Sequence, residues 1–152
     1  MTDPLRKHNV VVHGTDGAPC LVFVHGFGTD RRAWDAVAER FPEYRRVLLD
    51  LAGGARTDPA DFAPHRYLDL HAHAADVLAV ARVLELRDAV FVGHSVGATL
   101  CVLASLAAPE LCARLVLLAA SPRYRDDAGW RGGFTEADLR DTYRAITANY
   151  PE

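Results

Sequence analysis

Gly93-His94-Ser95-Val96-Gly97 sets one serine between two glycines in a G-x-S-x-G pattern. The apolar run Ala89-Val90-Phe91-Val92-Gly93 leads into it, and a helix-like pattern starts at Val96. Small residues on either side let the backbone turn sharply from strand to helix and lift the hydroxyl above the sheet. The first helical turn aims its free N–H groups, and the positive end of its dipole, at the same place. Such a hydroxyl suits nucleophilic attack on an acyl carbon. The bland alternative is a serine that caps the helix, with glycines serving only the turn. A second glycine-flanked segment, His25-Gly26-Phe27-Gly28, follows the apolar run Leu21 to Val24. Backbone N–H groups there can approach a ligand closely. With the Val96 N–H, the Phe27 N–H can form an oxyanion hole for a developing alkoxide; read alone, the segment is an ordinary strand-to-helix turn.

These groups need a scaffold, and the rest of the chain supplies one. Val10-Val11-Val12 is a short β-branched run closed by turn residues. Leu21–Val24, Val47–Asp50, Ala89–Gly93 and Leu115–Ala120 are uninterrupted apolar runs of the kind buried on both sheet faces. Between them, Arg31 to Phe41 carries Trp34, Val37, Ala38 and Phe41 at helical spacing behind the capping residue Asp30. Leu70, Ala74, Val77, Leu78, Ala81 and Leu84 form one face of a longer helix, and Val96 to Ala108 is a helix stopped by Pro109. Strands alternating with helices predict an α/β fold: a mostly parallel sheet with helices on both faces. The loop Asp50 to Asp58 falls at the same C-terminal sheet edge, where ligands bind in open α/β folds, although a structural turn is its simplest role. After Ser121 the chain becomes polar and turn-rich, and Phe134 to Tyr150 starts another helix.

Composition narrows the classes without naming one. The chain has 152 residues, 50% hydrophobic and 24% charged, with a net charge of −3. That is one ordinary globular domain, not a disordered chain. It offers no basic field for nucleic acid and no apolar run long enough to span a membrane. Met1-Thr2-Asp3-Pro4 lacks the form of a signal peptide, and Cys20, Cys101 and Cys112 read as reduced thiols, so a cytoplasmic setting is expected. There is no dinucleotide fingerprint, P-loop or clustered metal-ligand set, so neither cofactor nor metal is expected.

Taken together, the segments resemble the α/β-hydrolase superfamily. Gly26-Phe27-Gly28-Thr29-Asp30 with Trp34, then Val92 to Gly97, Ser121-Pro122-Arg123-Tyr124 and Gly132-Gly133-Phe134 look like one branch of it. That branch holds the bacterial RsbQ-type stress-regulator hydrolases and the plant strigolactone and karrikin receptors. The resemblance implies that Ser95 is the acyl-accepting nucleophile and that Phe27 and Val96 supply the oxyanion N–H groups. It implies that Phe27 and His94 meet the substrate, a small ester or lactone. His25, Gly26, Gly28, Gly93 and Gly97 are then structural parts of the motifs. A signalling protein partner is also implied. One departure is the loop Gly53-Gly54-Ala55-Arg56-Thr57, where the family usually shows G-x-G-x-S.

The family triad runs in the order Ser, acid, His. All seven histidines, His8, His13, His25, His65, His71, His73 and His94, precede Ser95. Asp126 or Asp127 can sit near an alternative acid position, but with no histidine to orient, that assignment is idle. Neither His25 nor His94 reads as a general base, and His71 and His73 read as surface residues. The chain thus resembles the N-terminal half of a complete member: residues 1–121 are the first part of the core and 122–152 the start of the cap. The last core strands, most of the cap and the triad acid and histidine are expected to be missing, leaving Leu115–Ala120 as a bare apolar edge. The expectation is a serine hydrolase in kind, inactive as these residues alone. The alternatives are a ligand-binding regulator and a non-catalytic fragment.

Overall fold

The computed structural model describes residues 3–54 and 56–149. Ala55 of the loop after Asp50, Tyr150 of the expected last helix, and the two residues at each terminus lie outside the described residues. The chain divides into two compact units, 1–120 and 121–152.

The first unit is built on five strands: β1 (Val11–His13), β2 (Cys20–Val24), β3 (Arg45–Leu49), β4 (Ala89–His94) and β5 (Cys112–Leu118). They lie in the order β1-β3-β2-β4-β5. β1 runs antiparallel to β3, and every other pairing is parallel. The parallel pairs need crossovers, which the helices supply. These are α2 (Asp35–Ala38), α3 (Leu70–Val83) and α4 (Val96–Ala107), while α1 (Pro4–Lys7) precedes β1.

Alternation along the central strands sorts the core into two layers. Val22, Val24, Val47, Leu49 and Phe91 face α3 and α4, which contribute Val77, Val80, Leu100 and Ala104. Leu21, Phe23, Leu48 and Val92 face the opposite way, against Trp34 and Ala38. All five β2 residues are buried, as a central strand requires.

One expectation is corrected here. The helix expected over Arg31 to Phe41 is a 3₁₀ turn, Arg31–Trp34, followed by the single α turn of α2. Asp30 caps it as expected, accepting from the Arg32 N–H. Pro42 disfavours helix at Phe41, and only Trp34 and Ala38 of the four apolar positions are buried. The loop after Asp50 also holds two short 3₁₀ turns, Pro59–Asp61 and Pro64–Arg66.

Among the described residues β5 is an edge strand, paired to β4 alone. Val116, Leu117 and Leu118 are 43%, 39% and 45% exposed, an apolar edge of the expected kind.

The second unit contains α5 (Glu136–Asn149) and the closed loop before it. Thr135 and Asp138 exchange hydrogen bonds at the start of α5: the Thr135 N–H donates to Asp138 Oδ2 at 2.8 Å, and the Asp138 N–H to Thr135 Oγ1 at 3.2 Å. This is a capping box with aspartate in the acidic position. The Tyr124 carbonyl accepts from the Phe134 N–H at 3.1 Å and the Arg123 carbonyl from the Trp130 indole at 2.9 Å, which ties the loop to itself. Among the described residues, no helix is long and apolar enough to cross a membrane.

Candidate active site

Ser95 occupies the single residue between β4 and α4, at φ 55° and ψ −123°. Positive φ is costly for a residue with a side chain and persists only where the surroundings enforce it. Here they do. The Ser95 N–H donates to the Leu118 carbonyl at 2.9 Å, and the Ala98 N–H returns to the Ser95 carbonyl at 2.9 Å. The two glycines are dictated by space. A Cβ on Gly93 would lie 2.5 Å from the Gly97 carbonyl oxygen, and one on Gly97 would lie 2.4 Å from that of Val24. Strand, turn and helix are packed too closely there for any side chain. The capping alternative does not hold, because the Ser95 side chain makes no cap hydrogen bond.

The second glycine segment is placed beside the first by sheet register. Val24 pairs with Gly93 across β2 and β4, so Gly26 and Ser95 both lie two residues past the same rung. The His94 ring lies against Gly26, where a Cβ would come within 2.7 Å of Nδ1. Among the described residues, no hydrogen bond is made to the N–H of Phe27 or of Val96. Phe27 is 72% exposed. Gly28 has a φ of 73°, a conformation glycine adopts without strain.

His25 is buried beneath this loop. Its Nε2 accepts the backbone N–H of Leu51 at 3.0 Å, and its Nδ1 lies 2.8 Å from the Gly26 carbonyl oxygen. An amide N–H can only donate, so Nε2 carries no proton and Nδ1 does. Both ring nitrogens are occupied, which leaves His25 no lone pair for proton transfer. The Thr29 hydroxyl donates to the same Gly26 carbonyl at 2.9 Å. A largely apolar hollow of about 290 Å³ adjoins the loop, lined by Gly26, Thr29, Trp34, Val37, His94 and Leu118 among others. Ser95 and Phe27 are not in its lining.

In the first unit, Asp50 and Asp30 are committed elsewhere. Asp50 is buried at the end of β3, accepting from the Arg31 N–H at 2.7 Å and from Asn9 Nδ2 at 3.2 Å. The hydrogen-bonded Arg32 guanidinium holds the Asp30 carboxyl down at about 2. In the second unit, Asp126 Oδ1 accepts the N–H groups of Gly132 and Gly133 at 2.8 and 2.9 Å, the work of a turn-forming side chain. Asp127 pairs with Arg123 at 2.6 Å. No described histidine hydrogen-bonds to Ser95. His71 is exposed as expected, but His73 is half-buried with its ring 4.6 Å from that of Tyr67, a correction to its surface assignment. Burial pushes its pKa below the ordinary histidine value.

Two features lie beyond the sequence reading. One is the Thr29 hydroxyl bond to Gly26; its only trace in the sequence is a threonine four residues after His25. The other is a buried ionic cluster away from the serine, centred on Asp76 of α3. Its carboxylate takes Lys7 Nζ at 3.0 Å, the Tyr67 hydroxyl at 2.5 Å and Arg66 at 2.5 Å, with His8 Nε2 at 3.4 Å. The cluster binds α1 and the Pro64–Arg66 turn to α3. Cys20, Cys101 and Cys112 form no disulfide, and burial pushes the Cys20 thiol up to about 11 and the Cys101 thiol up to about 12.

Comparison with known proteins adds the following. The family described as alpha/beta hydrolase fold matches residues 19–150. A karrikin insensitive 2 receptor of Petunia hybrida is 40% identical over 146 residues, 95% of this chain and 54% of that protein. A strigolactone esterase of Arabidopsis thaliana is 38% identical over 147 residues, 96% of this chain and 55% of that protein. Among solved structures, a hydrolase from Oleispira antarctica superposes with a TM-score of 0.89 at 25% identity, covering 97% of this chain and 55% of that one. The chain therefore spans about half the length of the relatives it matches.

Proposed function

The chain belongs to the alpha/beta hydrolase fold family, and we propose that it carries the nucleophile and oxyanion groups of a serine hydrolase acting on a small ester or lactone. The observation that carries this reading is Ser95 itself: a non-glycine residue held at φ 55° with a side chain that caps nothing. In the proposed step, Ser95 Oγ bonds to the acyl carbon and the carbonyl electron pair moves onto oxygen. The Phe27 and Val96 N–H groups receive that oxyanion. Collapse of the adduct expels the alkoxide, which leaves with the proton that the serine gave up; in a lactone the alkoxide stays tethered to the acyl group. In this reading His94, exposed and next to Ser95 in the chain, contacts the bound ester.

A base must take the serine proton, and no described side chain is hydrogen-bonded to Ser95 to do so. Loss of the base from a serine triad costs roughly 10⁶-fold in rate. These 152 residues alone are thus expected to turn over esters very slowly. That feature favours a second reading, a ligand-binding regulator, which the names of the receptor relatives also support. In both readings residues 121–152 are the start of a cap segment, and the ligand is a small ester or lactone of the strigolactone or karrikin-like kind. The free thiols support a reducing, cytoplasmic compartment.

The test is a fluorophosphonate, which forms an Oγ–P bond with loss of fluoride and the hydroxyl proton. The chain has three serines, so Ser105 and Ser121 serve as internal controls. Peptide mass mapping is expected to find the label on Ser95 well ahead of the other two. A folded chain that labels all three serines equally would remove the nucleophile assignment. Saturable binding of a lactone by the Ser95→Ala variant would support the regulator.

A further inference from the structure

Building on the proposed role of Ser95 and the Phe27 N–H, we propose that His25 and Thr29 are positioning residues that fix the plane of the Gly26–Phe27 peptide. The reasoning starts from the peptide unit. The Gly26 carbonyl and the Phe27 N–H belong to one planar group, and the described chain has no cis peptide bonds. In a trans peptide these two groups point in opposite directions, so fixing the oxygen fixes the hydrogen.

Two donors fix the oxygen. His25 Nδ1–H reaches it at 2.8 Å and the Thr29 hydroxyl at 2.9 Å, which uses both of its lone pairs. A third contact selects the right form of the ring. The Leu51 N–H donates to His25 Nε2 at 3.0 Å, so the proton must reside on Nδ1, where it is needed to hold Gly26. The His94 ring stands against Gly26, where a Cβ would come within 2.7 Å of its Nδ1. With the carbonyl turned toward buried His25, the Phe27 N–H faces away from the core and has no partner among the described residues. An oxyanion donor works because it is already oriented before charge develops. Leu51, two residues past β3, therefore acts on the oxyanion loop through one imidazole tautomer.

Two measurements on the full chain test this. The first is a long-range ¹H–¹⁵N spectrum of the imidazoles, together with hydrogen exchange of the Leu51 amide. His25 is expected as the neutral Nδ1–H form with a slowly exchanging Leu51 N–H. An Nε2–H form, or a Leu51 amide that exchanges freely, would overturn the proposal. This arm needs no reactivity at Ser95, so it judges the positioning even if the serine proves inert. The second compares Thr29→Val and Thr29→Ser by fluorophosphonate labelling of Ser95. Thr29→Val is expected to lower the first-order labelling constant about tenfold while the half-saturating concentration stays within about twofold, and Thr29→Ser to restore it. Should Thr29→Val unfold, as read by circular dichroism, the tautomer result decides. A folded Thr29→Val that labels at the native rate would overturn the role of Thr29. Absence of Ser95 labelling in the native chain, with the Nδ1–H form intact, would count against the nucleophile and not against the peptide clamp.

Discussion

Lys7 Nζ lies 3.0 Å from Asp76 Oδ2, a contact that joins α1 to α3 across 69 positions of sequence. Both residues are almost fully withdrawn from solvent, at 8% and 4% exposure. Burying either charge alone is costly, so each depends on the other and on Tyr67, Arg66 and His8 around them. Replacing Asp76 with Asn leaves a buried ammonium without its counter-charge, and about 3 kcal/mol of stability should be lost in urea unfolding. The double variant Lys7→Met with Asp76→Leu should recover most of that. A double variant as unstable as Asp76→Asn would show that packing, not charge, sets the cost.

Acid should act on the same cluster in two stages of like sign. Hydrogen bonds from His8, Tyr67 and Lys7 outweigh burial and hold the Asp76 carboxyl well below the carboxylate range. A folded-state pKa below the unfolded one stabilises above the unfolded value, near 4, and that stability is given up as pH falls from there. His73, lowered by burial, follows the same rule from an unfolded value near 6.5. Thermal melts should therefore decline gently below about pH 6.5 and more steeply below about pH 4. Asp76→Asn should flatten the lower limb and His73→Phe the upper one.

The strain at Ser95 gives a stability test that needs no substrate. A φ of 55° with ψ −123° costs a side-chain-bearing residue about 1–3 kcal/mol, partly offset in glycine by its greater freedom when unfolded. Ser95→Gly should raise stability by about 1 kcal/mol relative to Ser95→Ala, while both abolish labelling at this position. A Gly variant less stable than the Ala variant would mean that the turn is not strained.

Much of this arrangement was legible in the sequence, and the reasons are physical. Central strands such as β2 are buried on both faces, so they appear as unbroken apolar runs. The turn around Ser95 is legible because two of its positions have no room for a Cβ. The segment after Asp30 misled because Trp34, Val37, Ala38 and Phe41 keep helical spacing over a stretch that makes only one α turn before Pro42. The Asp76 cluster left no trace, because its members come from three separate segments and each looks like a surface residue alone. The Thr29 bond was hidden because it depends on which way a carbonyl points.

The glycines of the two turns should not be equivalent under substitution. Gly97→Ala would drive a methyl to 2.4 Å from the Val24 carbonyl oxygen, and backbone cannot easily give way. About 3 kcal/mol of stability should be lost, together with Ser95 labelling. A Cβ on Gly28 meets nothing within 4 Å, so only its φ of 73° opposes the change. Gly28→Ala should cost about 1 kcal/mol and leave the fold intact by circular dichroism.

The exposed edge of β5 should make the chain associate as concentration rises. Val116→Lys places a charge on that edge at a position 43% exposed, so it should lower light scattering and change the melting temperature little. Scattering unchanged by Val116→Lys would move the cause of any association elsewhere.

Because Ser95 and the Phe27 amide follow the ends of neighbouring strands joined in register through Val24 and Gly93, the reactive corner cannot exist in a chain that has merely collapsed. Parallel pairing between distant segments is among the slower events of folding. Capture of the hydroxyl by a phosphorus reagent during refolding would thus serve as a clock for the zipping of β2 onto β4, silent until that step is complete.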